Sequence, residues 1–373
     1  MKLVAAMDSF KGSLSAEEAS EAVRLGARQA GWEAAAIPVA DGGEGTAKIL
    51  TRALGGKEKR LAVTGPEGEK VPASYGVLPD KTAVMEMAAS SGLTLVKGPL
   101  SPRSATTFGV GEMILDAVKS GCRRLLLGIG GSATTEAGIG MLGALGFRFF
   151  DSSFAPLPPV FESLSRVFSI RKDGVLPAVL SLPVTVFSDV KNPLTGKRGA
   201  VKVFGAQKGV RPEEADEMDR AVAHFAGVAA AFCGTDHQNT PGAGAAGGLG
   251  FALLSFFENA RLQPGVKGVL EAVGAEKEIR SADLVVTGEG RFDAQSAEGK
   301  VPSGVAKLAA KYGVPTLVLA GSVQADGDLL KKTGVRFARA ITPDGMKKEE
   351  AMQKEIAFSN LARAAEDFLR SYR

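Results

Sequence analysis

Short apolar runs that break into glycine- and carboxylate-bearing loops recur along this chain, and helical patterns follow them. Residues 3–6 lead into A-M-D-S-F-K-G-S at 6–13, residues 34–39 into V-A-D-G-G-E-G-T at 39–46, and residues 284–286 into T-G-E-G-R-F-D at 287–293. Apolar runs of that length read as buried strands. Strands alternating with helices imply a mostly parallel sheet covered on both faces. The expected class is therefore α/β, with its loops at the carboxyl ends of strands, where open sheets of this kind bind ligands.

At 373 residues the chain exceeds one ordinary core, so two domains are expected. Its two ends share one grammar. A helix over 16–30 opens at Ser15, and Glu18 three positions later completes a capping-box pattern. Strands at 284–287, 314–319 and 336–341 alternate with helices near 302–312 and 326–332, and a long helix runs from about 347 onward. The middle reads differently. Residues 58–87 carry β-rich runs broken by T-G-P-E-G at 64–68, as in antiparallel hairpins. Helical patterns at 107–120 and 134–145 flank a strand at 124–129, and an irregular, proline-containing stretch covers 155–183. The expected architecture is a discontinuous Rossmann-like domain, 1–66 plus 280–373, with a second α/β domain, 67–279, inserted.

Composition removes several functions. The net charge of +4 is scattered, and no aromatic-basic stripe accompanies it, which argues against nucleic acid as a partner. Cys122 and Cys233 form no C-x-x-C and read as buried packing. His224 and His237 are the only histidines, and His224 lies inside a helical pattern at 212–233. Acid–base chemistry therefore falls to carboxylates or lysine. The apolar stretch before Asp8 is too short for a signal peptide, and no run approaches the ~20 apolar residues of a membrane span. A cytoplasmic location without a membrane partner is expected.

Two further segments share the strand exit and the small, hydroxyl or ionisable residues, G-I-G-G-S-A-T-T at 128–135 and F-S-D-V-K-N-P-L at 187–194, and another, T-P-G-A-G-A-A-G-G-L-G at 240–250, lacks charge but leads into a helical pattern at 249–257. Glycines ahead of a helix let backbone N–H groups approach a phosphate. The string G-x-G-x-x-G discriminates nothing here, because it occurs at 138–143 and again at 242–247; the first of these reads as close helix packing. No P-loop pattern is present, nor the protein-kinase loop with its H-R-D partner. Asp8, Asp41, Glu44, Asp189, Glu289 and Asp293 supply acids, and Lys11, Lys208, Arg291 and Lys300 supply cations. Phosphoryl transfer rests on positioning and electrostatic stabilisation. This inventory suits it better than hydride transfer or hydrolysis.

The segments D-S-F-K-G-S-L-S-A at 8–16, V-A-D-G-G-E-G-T, G-I-G-G-S-A-T, F-G-x-Q-K-G at 204–209, P-G-A-G-A-A-G-G and T-G-E-G-R-x-D-x-Q-S-x-x-G-K together resemble the type I glycerate kinase family. They run in order from Asp8 to about Gly321, nearly the whole chain. The resemblance implies an ATP- and Mg²⁺-dependent kinase acting on D-glycerate, with 2-phosphoglycerate the usual product. It also implies one flavodoxin- or Rossmann-like domain and one resembling a restriction-endonuclease core, with the active site in a cleft between them. Two motifs depart from the family. Ala6-Met7-Asp8-Ser9 replaces the usual A-P-D-S. Thr135-Glu136-Ala137 replaces Asn-Asp-Gly, so a carboxylate survives one methylene longer. The stretch 150–183 also lacks the family's glycine-rich pattern.

Roles follow for individual residues. Asp189, after the strand-like run 184–187 and ahead of Pro193, is the expected base for the substrate hydroxyl, with Asp8 and Asp293 as the other catalytic acids. Ser9, Lys11, Asp41, Glu44, Arg291 and Lys300 are expected to hold the substrate, a small acid gripped through charge. Gly130, Gly131, Ser132, Thr134, Gly242, Gly244, Gly247 and Gly248 are expected to carry the nucleotide, and Asp41 and Glu289 to bind the metal. Two rivals make different demands. A non-catalytic hydroxy-acid sensor on the same fold would keep the glycines and lose the acids, which are present here. A dinucleotide oxidoreductase needs a glycine fingerprint after its first strand, where residues 7–14 read M-D-S-F-K-G-S-L. A kinase for a related small hydroxy acid meets the same demands as the leading reading.

Overall fold

A computed structural model describes residues 1–43, 45–297 and 300–372. The chain divides into two compact units, Met1–Asp41 with Pro264–Arg373, and Gly42–Gln263. The expected limits, 66/67 and 279/280, are displaced for identifiable reasons. Residues 57–64 pair antiparallel with 70–77, which draws that strand into the second unit. The helix Gly265–Ala272 packs on the helix Val301–Ala310, which draws it into the first.

The strands of the two large sheets are β1 (Lys2–Met7), β2 (Glu33–Ala36), β3 (Lys57–Thr64), β4 (Lys70–Val77), β5 (Thr82–Glu86) and β6 (Arg124–Gly128), followed by β7 (Val184–Phe187), β8 (Ala260–Gln263), β9 (Leu284–Gly288), β10 (Thr316–Ala320) and β11 (Phe337–Ala340). In the first unit five of them form one parallel sheet in the order β11-β10-β9-β1-β2. Counted within the unit, that order is 2-1-3-4-5, with its switch between β1 and β9. Both strands at the switch are buried almost throughout, which is why they read as continuous apolar runs without alternation. β1 and β9 pair in register from Leu3 opposite Leu284 to Met7 opposite Gly288. On the other side the ladder outlasts β2: Ile37 N donates to Ala5 O at 2.8 Å and Val39 N to Met7 O at 2.9 Å.

The helix Ala16–Gln29 begins where the capping box places it. Ser15 Oγ accepts from Glu18 N at 3.2 Å, and Ser15 N donates to Glu18 Oε2 at 2.9 Å. It packs along the C-terminal helix Lys354–Ser371, and Gly26 lies against the Ala362 carbonyl.

The second unit holds a mixed sheet, β8-β7-β6-β5-β4-β3. The strands from β5 to β8 run parallel, and the hairpins over 57–86 supply the antiparallel edge that the turn at 64–68 announces. The stretch 148–171 adds a small antiparallel sheet built from Arg148–Phe150, Pro156–Leu157 and Ser169–Arg171. The helical pattern at 134–145 is helical only over Ile139–Ala144, because Ala137 (φ 53°) and Gly138 (φ 75°) occupy the left-handed region just before it. His224, on the helix Ala215–Cys233, places Nε2 2.9 Å from Val167 O and serves packing. Cys122 and Cys233 are free thiols, the first buried. Among the described residues no helix is long and apolar enough to cross a membrane.

Gly26 sets two effects against each other. Alanine is the better helix former by about 1 kcal/mol, yet a Cβ here would run into the Ala362 carbonyl. A backbone carbonyl inside a helix cannot swing aside as a flexible side chain can. Gly26→Ala is therefore expected to lower the thermal midpoint despite the gain in propensity, as read by calorimetry; a raised midpoint would show that the two helices separate freely.

Candidate active site

With Met7 opposite Gly288, the next residue of each strand, Asp8 and Glu289, must leave the sheet side by side. Asp8 N extends the ladder by donating to Gly288 O at 3.0 Å, and the extended β2 ladder carries Asp41 to the same edge. A pocket of about 650 Å³ opens at these strand ends. Asp8, Asp41 and Glu289 line it as acids, and Lys11, Arg291, Lys300 and Lys348 as cations. Ser9 also faces it, with its N–H donated to Asp8 Oδ1 at 2.7 Å.

Burial dominates the electrostatics of Asp8. It pushes the carboxyl pKa up to about 7, and the charges of Asp41 and Glu289 push the same way, against the Ser9 amide and Lys11. Glu289 is also raised by burial, although Ser296 Oγ donates to its Oε1 at 2.6 Å and Lys300 Nζ lies 3.5 Å from its Oε2. Lys300 sits at the start of the helix Val301–Ala310, which holds its backbone at the pocket edge. Arg291 pairs with Asp293 (Nε to Oδ2, 2.9 Å) and donates to Gln324 Oε1 at 2.7 Å. A short parallel bridge of 291–292 with 322–323 positions it. Glu44 lies outside the described residues. The opposite wall, from Ile341 through Met346 and Met352 to Asn360, carries none of the expected site residues.

The remaining expected residues belong to the second unit. The carboxyl ends of β5, β6 and β7 lie together, with Glu86 and Phe187 both opposite Gly128, so the loops carrying Gly130–Thr134 and Asp189 leave one edge. Gly130 and Gly131 are exposed, and their amides make no hydrogen bond among the described residues, as an oxyanion cradle requires. Beneath them Lys208 is buried, and its ammonium donates to Ser132 Oγ at 2.6 Å and Thr134 O at 2.7 Å. Burial holds the Lys208 pKa well below the ordinary lysine range, with the Glu136 charge opposing. Glu136 itself is buried and raised by burial. It accepts from Thr107 Oγ1 at 2.8 Å and from Gly140 N at 2.5 Å, so the altered Thr135-Glu136-Ala137 motif serves the packing of this unit.

Gly242, Gly244, Gly247 and Gly248 are buried. Gly242 N and Gly244 N both donate to Asn192 O, at 3.2 and 3.0 Å, and a Cβ on Gly247 would run into the Thr134 carbonyl. Backbone makes a close approach at Gly242, Gly244, Gly247 and Gly248. Asp189 is exposed at the end of β7. No group of three or more His, Cys, Asp or Glu side chains among the described residues is arranged to hold a metal by itself.

Comparison with known proteins defines the class. A model described as the glycerate kinase family matches residues 3–373. The chain is 44% identical to the glycerate kinase of Bacillus subtilis (strain 168) over 375 residues, covering 100% of this chain and 97% of the relative. It is 41% identical to the glycerate 2-kinase of Escherichia coli (strain K12) over 369 residues, covering 98% and 96%. A crystal structure of a candidate glycerate kinase 2 from Salmonella typhimurium LT2 superposes with a TM-score of 0.89 at 38% identity, covering 100% of this chain and 98% of that one. The protein is a phosphotransferase that acts on an alcohol group. It belongs to the glycerate kinase family.

Asp8 has a measurable signature. An unfolded aspartate ionises near pH 4, whereas the folded group keeps its proton until about pH 7. The folded state thus binds the extra proton between these values, and stability falls as pH rises through that window. Asp8→Asn stays neutral. Without ligands or divalent cations, it should gain on the wild type by roughly 2–4 kcal/mol between pH 4 and pH 8. Chemical denaturation across that range checks this, and a difference independent of pH would mean that Asp8 ionises normally.

Proposed function

We propose that this enzyme transfers the terminal phosphoryl group of ATP to D-glycerate, with 2-phosphoglycerate the favoured product and Mg²⁺ assisting. The glycerate kinase and glycerate 2-kinase relatives support the substrate and the product. The observation that carries the mechanism is Asp8, a carboxylate at a strand exit with its pKa raised to about 7, in a pocket lined by two further acids and four cations. A general base works best when its pKa lies near the working pH. Asp8 meets that condition, so the base is assigned to it, and the exposed Asp189 becomes the alternative.

Asp41 and Glu289 supply hard carboxylate oxygens, the donor type Mg²⁺ prefers. That ion commonly takes one or two protein carboxylates and completes its shell with phosphate and water. Bound there, it would neutralise charge on the phosphate chain. The chain's own groups do the rest. Lys11, Arg291 and Lys300 bind and orient anions, Lys300 partly offsets the Glu289 charge, and Asp8 takes the hydroxyl proton as the new bond forms. The exposed Gly130 and Gly131 amides, backed by Lys208, offer a second place for an oxyanion. The 2-1-3-4-5 strand order supports a flavodoxin-like reading of the first unit. The restriction-endonuclease-like name for the second rests on the resemblance alone.

The test is ADP formation coupled to product identification, with ATP, Mg²⁺ and D-glycerate. Asp8→Asn should cut turnover by roughly 10²–10⁴-fold, and Asp189→Asn should cost far less. The reverse ranking would move the base to Asp189, and absence of glycerate-dependent ADP formation by the wild type would remove the proposed reaction.

A further inference from the structure

The pocket of the first unit is too large and too apolar for a three-carbon acid. Its volume of about 650 Å³ falls among pockets that enclose drug-sized ligands. Besides the acids and cations, Ile341, Met346, Ala351, Met352 and Ala357 line it, and they offer apolar area that glycerate cannot use.

Asn360 stands in that wall on the helix Lys354–Ser371, on the same buried face as Ala357 and Leu361, and is only 9% exposed. Its side-chain amide donates to Met346 Sδ at 3.6 Å, its one hydrogen bond among the described residues. A thioether is a weak acceptor, and buried polar groups are normally well bonded. The fold therefore makes little use of a carboxamide that lines a pocket and has a donor and an acceptor to offer. That pair matches the adjoining amino group and ring nitrogen of adenine, the same complementarity by which Asn reads adenine in nucleic acids.

We propose that the apolar part of this lining is the nucleobase site of the phosphoryl donor, with Asn360 reading the adenine edge and Met346 and Met352 flanking the ring. The inference rests on ATP being the donor, as read above, and adds where and how it binds. It assigns Lys11, Arg291 and Lys300 to the phosphate chain, in place of the sequence expectation that they hold the carboxylate of the hydroxy acid. The site then lies at the β1/β9 switch of the sheet, where sheets of this order bind their ligands.

The experiment measures binding by calorimetry in the presence of Mg²⁺, so that it does not depend on turnover. The probes are ATP, GTP and inorganic tripolyphosphate, which has no base, tested on the wild type and on Asn360→Leu. Michaelis constants for ATP and glycerate are read on the same preparations. Asn360→Leu should weaken ATP roughly ten- to a hundredfold and bring the ATP:GTP ratio towards one. Tripolyphosphate affinity and the glycerate Michaelis constant should stay within about twofold of wild type, since neither ligand meets the amide. Met352→Ala, at a partly exposed position, removes part of the wall without adding charge, should give the same split and decides the matter if the Asn360 variant folds poorly. An unchanged ATP affinity with an unchanged ATP:GTP ratio overturns the proposal. So does a loss common to ATP, GTP and tripolyphosphate with a lowered thermal midpoint, which marks a structural asparagine. If the wild type fails to phosphorylate glycerate, the reaction falls, and the binding comparison still decides the base site.

Discussion

The pairing of β1 with β9 is the contact on which the first unit depends. It joins residues 2–7 to residues 284–288, so the central strands of the sheet come from opposite ends of the chain. Such a contact closes a very long loop, and the unit cannot assemble until both ends have met. The same register forces Asp8 and Glu289 to emerge as neighbours. Two carboxylates held together near a buried edge repel each other and lose hydration, which is a cost to folding. Ser9 N, Ser296 Oγ and Lys300 offset part of it. What remains shows as raised carboxyl pKa values, the state in which a general base or a metal-binding acid is useful. Fold and chemistry meet in one hydrogen-bond ladder.

Much of that was legible in the sequence. The central strands announce themselves because full burial makes them continuous apolar runs, and the first long helix because Ser15 and Glu18 satisfy its orphan amides reciprocally. The unit boundaries were less legible. A hairpin such as 57–77 carries no mark of the sheet it will join, so β3 was expected with the strands before it. The helix expected over 134–145 begins five residues later because a buried glutamate, followed by two left-handed residues, interrupts the pattern. The wall from Ile341 to Asn360 left almost no trace. Methionine, isoleucine and alanine read as core, and whether they face a core or a pocket depends on what packs against them. The one local hint is Asn360, a carboxamide on a face otherwise made of Ala357, Leu361 and Ala365.

The second unit shows how far a buried charge can serve structure. Lys208 and Glu136 are both sealed from solvent, and each is bonded to groups of the β6 exit region or of the helix beyond it. Their value lies in specificity of geometry. Lys208 ties Ser132 and the Thr134 carbonyl down, and Glu136 ties Thr107 to Gly140. The glycines between these anchors and the strand end, Gly130 and Gly131, are exposed.

The two glycine segments of that unit resemble each other on paper and differ in kind. A glycine states only that something comes close where a Cβ would have been. At Gly244 and Gly247 that something is the backbone of Pro193 and of Thr134, and the amides of Gly242 and Gly244 are consumed by Asn192. At Gly130 and Gly131 the amides are exposed and uncommitted among the described residues. The string could not distinguish them, because both fates impose the same demand on the residue. Satisfaction of the amide distinguishes them: a segment whose N–H groups already have acceptors has nothing left for an anion. By that criterion Gly242 and Gly244 have their amides committed within the fold.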